Sequence, residues 1–458
     1  MKGYKNTSKN KNTREKARKK FLYEAGARQI TTGFGDNYIG ALAVFLGAGE
    51  FLMGLLASLP VLFGSIFQVF SPYIMKKTGK RRKIVLTGVL IHAISWLPLL
   101  LVLILDPAIA IWVLIILVII QTSVEWFINA PWMSWFGEYV DKKTIGKYIG
   151  LKRSIALLFA MVSTIIAGLI LGFFENSGTL YGFIIIFIIA FIARTYTVFN
   201  LKLIPPTNYD AKKTKVIFPN KFLKEKKHKQ IHSFINFVSF FKFAVMIAAP
   251  FFTLFILRDL NFTYLEYMIL ICTVSLAQII SMKYWGKITD RYGNKIVLSS
   301  SALLISFIPL LWLVSQNFYY LIFIRIFEGF IWGAFNIAIY NHLLSSSSLE
   351  ERSGYVSNYN LFTGLATFFG AMIGSLIAIY SLEHNLFMIG IPLIFLISGI
   401  LRLIIAIFLG TRLKERTLHH AHKDRHMLLK LMVIYPMEGA KQNILHGWNF
   451  KKKLKSKK

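Results

Sequence analysis

Twelve apolar stretches dominate this chain, each of about the 20 residues needed to cross the hydrocarbon core of a bilayer. They fall at roughly 22–46, 50–73, 84–104, 108–132, 150–172 and 180–200, and again at 233–257, 264–283, 296–314, 318–342, 355–380 and 386–410. A soluble domain carries about 25% charged residues; here 16% are charged, 55% are hydrophobic, and the charges cluster between the apolar runs. The fold class expected is therefore an all-α membrane protein with twelve transmembrane helices. Residues 1–21 form a basic N-terminal segment, 22–200 and 233–410 two six-helix bundles, 201–232 a linker, and 411–458 a basic tail.

The 53 Lys and Arg against 21 Asp and Glu first raise the question of nucleic acid. A nucleic-acid binder spreads its cations over a folded soluble face. Here they sit between apolar spans, where topology accounts for them. With the N-terminus inside, 47 basic residues fall in inside segments and only Arg258 in an outside loop, while Arg28, Arg194, Lys242, Arg325 and Arg402 lie within spans. The positive-inside rule then places both termini in the cytoplasm of a multi-pass cell-membrane protein. No signal peptide is read, because the first span already contains Glu24, Arg28 and Asp36. Cys272 is a lone cysteine in an apolar run and reads as a packed side chain.

The halves repeat. Thr78-Gly79-Lys80-Arg81-Arg82-Lys83-Ile84-Val85-Leu86 follows span 2, and Tyr292-Gly293-Asn294-Lys295-Ile296-Val297-Leu298 follows span 8. Ile145-Gly146-Lys147-Tyr148 opens span 5 as Arg352-Ser353-Gly354-Tyr355 opens span 11. Two six-helix units of the same orientation imply an axis along the membrane normal and a substrate site between them near the midplane.

The segment Gly286-Lys287-Ile288-Thr289-Asp290-Arg291-Tyr292-Gly293-Asn294-Lys295 resembles the signature loop of major facilitator superfamily transporters, G-x-x-x-D-R/K-x-G-x-R/K, and falls where that family has it, between the second and third helices of a half. The resemblance covers about 22–410. It implies that Gly286, Asp290, Arg291, Gly293 and Lys295 form a gating loop that latches helices during alternating access. The first-half copy departs from the pattern, with Pro72 at the glycine position and Lys76 at the acidic one. Arg325-Ile326-Phe327-Glu328-Gly329 is similar to another family motif, R-x-x-Q/E-G, while the antiporter glycine-proline motif is not met because Ala371 stands where proline belongs.

An ionisable group inside a span costs roughly 2.5–3.5 kcal/mol on insertion scales, so it marks a function or a pair. By the resemblance, helices 1, 4, 7 and 10 line the central cavity. Asp36 lies near the midplane of span 1 among Gly33, Gly35 and Gly40, and is the first candidate for a proton-coupling carboxylate. Glu24 and Arg28, one turn apart, are expected to pair. Arg28 and Lys242, 214 positions apart, are expected to attract an anion or to bridge the halves. Gln121, Glu125 and Asn129 on span 4 form a polar stripe that Glu328, Trp332 and Asn336 repeat on span 10, beside Arg325. Arg194 and Arg402, on helices expected to be peripheral, read as snorkelling side chains.

The basic tail 411–458, with an apolar patch at Met427–Met437, fits a segment lying on an anionic inner leaflet. His419, His420, His422 and His426 lack carboxylate or cysteine partners, so no metal site is assigned, and no cofactor. No phosphate loop G-x-x-x-x-G-K-S/T, no H-E-x-x-H and no G-x-S-x-G occurs, which argues against an enzyme and against an ATP-driven pump. The function expected is secondary active transport of a small solute by alternating access, coupled to a proton or cation gradient. The alternative is a membrane sensor or scaffold that keeps the transporter fold without transporting.

Overall fold

A computed structural model describes residues 8–136, 139, 145–175, 178–205, 216–224, 229–345, 352–383 and 390–410. The basic tail with its histidines and apolar patch, and parts of the linker, lie outside the described residues. Among the described residues every regular element is helical. An apolar medium demands this, because each backbone group needs a partner within its own segment.

In the first half, α1 (Ser8–Phe34), a 3₁₀ turn (Asp36–Tyr38) and α2 (Ile39–Phe45) make span 1. Spans 2 to 6 are α3 (Glu50–Thr78), α4 (Arg81–Ile94) with α5 (Trp96–Val102), α6 (Pro107–Phe136), α7 (Ile145–Phe174) and α8 (Thr179–Lys202). A short helix, α9 (Pro219–Lys224), lies in the linker. Span 7 is α10 (Lys229–Ala248), α11 (Phe251–Leu254) and a π-helical turn (Phe255–Asp259). Spans 8 to 12 are α12 (Tyr264–Tyr292), α13 (Asn294–Leu311), α14 (Phe318–Ser345), α15 (Arg352–Glu383) and α16 (Ile391–Phe408).

Eleven of these spans are long and apolar enough to cross a membrane. Span 1 falls short by that measure because Glu24, Arg28 and Asp36 lower its hydropathy, yet it packs among the others against α7 and α8. It also differs from the unbroken 22–46 expected. The helix starts at Ser8, runs through 21 and 22 without interruption, and breaks at Gly35–Tyr38.

The packing repeats as the sequence does. Span 1 lies on spans 5 and 6, and span 7 on spans 11 and 12; span 2 pairs with span 4, and span 8 with span 10. The halves meet along span 2 against span 11 and span 5 against span 8. Gly79 and Gly293, 214 positions apart, both close the second span of their half with positive φ, +65° and +85°. Side chains resist that region, which explains a glycine at each turn. Gly286, by contrast, sits inside α12 with open space where a Cβ would stand, so nothing steric requires glycine there. Large apolar side chains such as Ile104, Phe173, Leu203 and Phe323 are exposed on the outside, the surface a bilayer would cover.

Candidate functional site

Spans 1 and 7 are both interrupted, and at equivalent places. The break at Asp36 in span 1 stands 214 positions before Pro250, where α10 ends in a turn at Ala249 and Pro250. Pro250 removes a backbone donor and cannot continue the helix unperturbed. The break in span 1 is held from outside itself: Asn37 Nδ2 donates to Thr164 Oγ1 at 2.8 Å, and the Tyr38 hydroxyl donates to the Thr164 carbonyl at 2.8 Å. Of the glycines near Asp36, Gly33 and Gly35 serve packing. A Cβ on Gly33 would lie 2.4 Å from Ser163, and one on Gly35 would lie 2.0 Å from the ring of Trp96. Gly40 faces Thr253 of span 7 at van der Waals distance.

The two breaks flank a cavity of about 410 Å³, lined on the first-half side by Asp36, His92, Gln121, Thr122, Glu125 and Trp126 and on the second-half side by Ala249, Pro250 and Thr253. Asp36 is exposed to this space and accepts a hydrogen bond from Thr32 Oγ1 at 2.9 Å. Gln121 is buried, and among the described residues neither its amide nitrogen nor its oxygen has a partner. Buried polar groups are normally paired, so an amide idle at a cavity wall is one that a bound molecule can satisfy.

Beneath the cavity lies a charged network. Glu125 binds both Arg28 and Arg194, one through each carboxylate oxygen. Arg194 Nε donates to His92 Nδ1 at 3.1 Å. Glu24 pairs with Lys152 of span 5 at 3.8 Å, and Lys152 stands 3.5 Å from the Trp132 ring centroid. A small void bordered by Glu24, Arg28, Glu125, Asn129 and Arg194 adjoins this network, so Glu125 fronts both spaces.

This arrangement corrects two expectations. Glu24 pairs with Lys152 rather than Arg28, because Arg28 is drawn across to Glu125. Arg194 and Arg402 do not snorkel: they are 1% and 2% exposed. Arg194 is anchored by Glu125 and His92, and Arg402 donates to the carbonyls of Val245 at 3.1 Å and Ile305 at 3.4 Å. His92, Arg194 and Lys152 are thus members of the site that the sequence reading missed. Arg194 carried a signal, since a cation in an apolar run needs either water or a partner.

The second-half candidates lie apart from the cavity lining. Arg325 Nη1 donates to Glu328 at 2.8 Å on the same helix, and its guanidinium stands 4.8 Å from the Trp312 ring centroid. Trp332 packs edge-on against Phe335, and Asn336 is half-buried. Lys242 is half-buried and has no hydrogen bond or ion pair among the described residues. Asp290 and Arg291 lie in the last turns of α12, their side chains outside the described ones; Lys295 opens α13.

One side of the cavity is closed by contacts between the halves. Arg258 at the end of span 7 donates to Glu50 Oε1 at 2.7 Å, and Ser375 Oγ of span 11 donates to the Glu50 carbonyl at 3.3 Å. Glu50 lies three residues, about 4.5 Å along the helix, beyond Met53 of the cavity wall.

The Major Facilitator Superfamily profile matches this sequence twice, over residues 29–241 and 233–450, once for each structural half. The chain belongs to the Major Facilitator Superfamily. Its fold is shared with solved transporters of low sequence identity. A mutant of the nucleoside transporter NupG matches with a TM-score of 0.64 at 15% identity, over 87% of this chain and 100% of that one. A D-xylose-proton symporter matches at 0.64 and 13%, over 86% and 96%. A bacterial homologue of the iron transporter ferroportin in an inward-facing state matches at 0.61 and 13%, over 88% and 99%. No curated protein matches the chain in sequence.

Proposed function

We propose that this superfamily member is a secondary active transporter that moves a small polar solute by alternating access, with Asp36 as its coupling carboxylate. The observation that carries the proposal is the state of the acidic residues on the cavity helices. Glu24, Glu125 and Glu328 are each held in an ion pair, whereas Asp36 faces the cavity with only a hydroxyl partner among the described residues. A carboxylate with no fixed countercharge is free to take up a proton or cation when its surroundings dry, which coupling requires. Its place at a helix break supports the same role, since interrupted helices are where such transporters put substrate and ion sites.

The lining favours a hydrogen-bonding solute. Glu125 is neutralised by its arginines, which leaves Gln121, Thr122, Thr253 and the Trp126 ring as contacts. About 410 Å³ suits a small molecule, and ligand pockets run from about 300 to 1,000 Å³. Structural neighbours named for nucleoside and D-xylose transport point to solutes of this size and polarity. The Glu50–Arg258 bridge is the closed gate on one side, and the segment from Gly286 to Lys295 is the latch on the other. Both termini face the cytoplasm of the cell membrane, by the distribution of basic residues.

Uptake into proteoliposomes carrying an imposed proton or sodium gradient, screened over sugars, nucleosides and organic ions, tests this reading. Asp36→Asn mimics the protonated form at almost constant volume. It should abolish accumulation against a gradient while counterflow of the same solute persists. Undiminished uphill uptake by Asp36→Asn would refute Asp36 as the coupling site, and a wild-type protein that moves no solute would favour a sensor or scaffold.

A further inference from the structure

A second space, of about 940 Å³, opens on the face of the first half, between α3, α4 and α6 and away from the central cavity. Its walls are apolar, including Phe63, Phe67, Ile91, Ile120 and Phe127, and all of these but Phe127 are exposed. At one end the wall changes character to Thr78, Lys80 and Lys83. Both lysines are exposed, and neither makes a side-chain hydrogen bond or ion pair among the described residues. Along α3 the groove runs from Phe63 to Thr78, about 22 Å at 1.5 Å per residue, which exceeds half of a hydrocarbon core about 30 Å thick. Its floor is fixed by Gly88, where a Cβ would stand 2.2 Å from Ile128, so α4 meets α6 there.

These lysines belong to the first-half loop that departs from the family pattern. Where the second-half copy carries Asp290, this loop has Lys76, and its charge is wholly positive from Lys76 to Lys83. We propose that the groove binds one anionic phospholipid, its phosphate held by Lys80 and Lys83 and an acyl chain lying between α3, α4 and α6. An elongated apolar trough with cations at a single end is complementary to an amphiphile with an anionic head. A zwitterionic lipid places its own cation beside the same lysines and gains less. Basic residues near a membrane surface attract anionic headgroups by about 1 kcal/mol each, and the trough adds burial of the chain. This site does not depend on what the central cavity carries.

Native mass spectrometry of the full-length protein in detergent, titrated with phosphatidylglycerol and phosphatidylcholine in parallel, tests it. The wild type should retain phosphatidylglycerol in preference to phosphatidylcholine, with one tightly held copy. Lys80→Ala/Lys83→Ala should weaken phosphatidylglycerol roughly tenfold or more. Lys76→Ala/Lys77→Ala, on the same loop outside the groove, should change it less than about twofold, well under the contribution of one surface cation to headgroup binding. Thr87→Trp or Ile120→Trp, which fill the trough from opposite walls without altering charge, should also displace the lipid. Equal retention of the two lipids would overturn the proposal. So would equal losses from the two lysine pairs, or wild-type binding in both tryptophan variants.

Discussion

Removing the charge of Glu125 should destabilise the first half more than any other single polar substitution in the site. Glu125→Gln leaves Arg28 and Arg194 facing a neutral amide. The two arginines are not equivalent: the Arg194 side chain is 2% exposed, whereas that of Arg28 is 37% exposed. Breaking a buried pair by removing one partner costs about 3–5 kcal/mol, since the other charge is stranded. An exposed pair is worth about 0–1 kcal/mol. The stranded Arg194 therefore sets the size of the effect. For a folding unit of 150–250 residues, about 2–4 °C of melting temperature is lost per kcal/mol, so Glu125→Gln should melt roughly 6–20 °C below wild type.

Thermal unfolding in one detergent, followed by tryptophan fluorescence, measures this directly. Arg28→Ala, which keeps the Glu125–Arg194 pair, should lose no more than about 1 kcal/mol. Glu125→Gln/Arg194→Gln removes both buried charges and should recover much of the loss of Glu125→Gln alone, because a stranded charge costs more than an absent pair. If Glu125→Gln melts within 2 °C of wild type, or if the double variant is the least stable of the three, the buried-pair argument fails.

Three further outcomes follow from the packing and the gate. Arg258→Gln, which opens the bridge to Glu50, should shift the population away from the state closed on that side and raise the reactivity of a cysteine placed at Met53 towards a thiol reagent; unchanged reactivity would show that other contacts hold the gate. Gly370→Ala sets a methyl 2.3 Å from the Phe243 carbonyl, forcing spans 7 and 11 apart, and should cost about 1–3 kcal/mol in the same melting assay. With Cys272 replaced, a cysteine at Ser315 should react with an impermeant reagent applied to intact cells and one at Thr78 should not; labelling at Thr78 would reverse the orientation.

The spans and the repeat were legible in the sequence because hydropathy and loop spacing are local properties. Two features of the site were partly legible. Gly35 beside Asp36 and Pro250 in span 7 are residues that weaken a helix, and both spans break at those points. The charged network was not legible, for a geometric reason. Whether Glu125 meets Arg28, Arg194 or both depends on how spans 1, 4 and 6 are rotated about their axes, and no periodicity within one helix states that. The expectation for Arg194 failed because span 6 buries one face on spans 1 and 3, from which the long Arg194 side chain reaches span 4's carboxylate. Glu50 and Arg258 were missed because each stands at a span end, where a charge calls for no explanation.

The repeat also shows where the two halves differ in chemistry. At the offsets that relate them, 207 to 214 positions, Arg28 answers to Lys242, Glu125 to Trp332 and Arg194 to Arg402. Both halves thus retain the two cations, but only the first retains the carboxylate between them. In its absence, Arg402 rests on two backbone carbonyls, and Lys242 has no partner among the described residues. Carbonyl dipoles can solvate a guanidinium, but they cannot neutralise it. The same offset replaces Asp36 with Pro250, which keeps the helix break and discards the acid. The helix interruption is therefore common to the two halves, whereas the titratable groups facing the cavity belong to the first. For the coupling proposed above, the residue that takes up the ion is therefore to be sought in span 1 or span 4 rather than in their second-half counterparts.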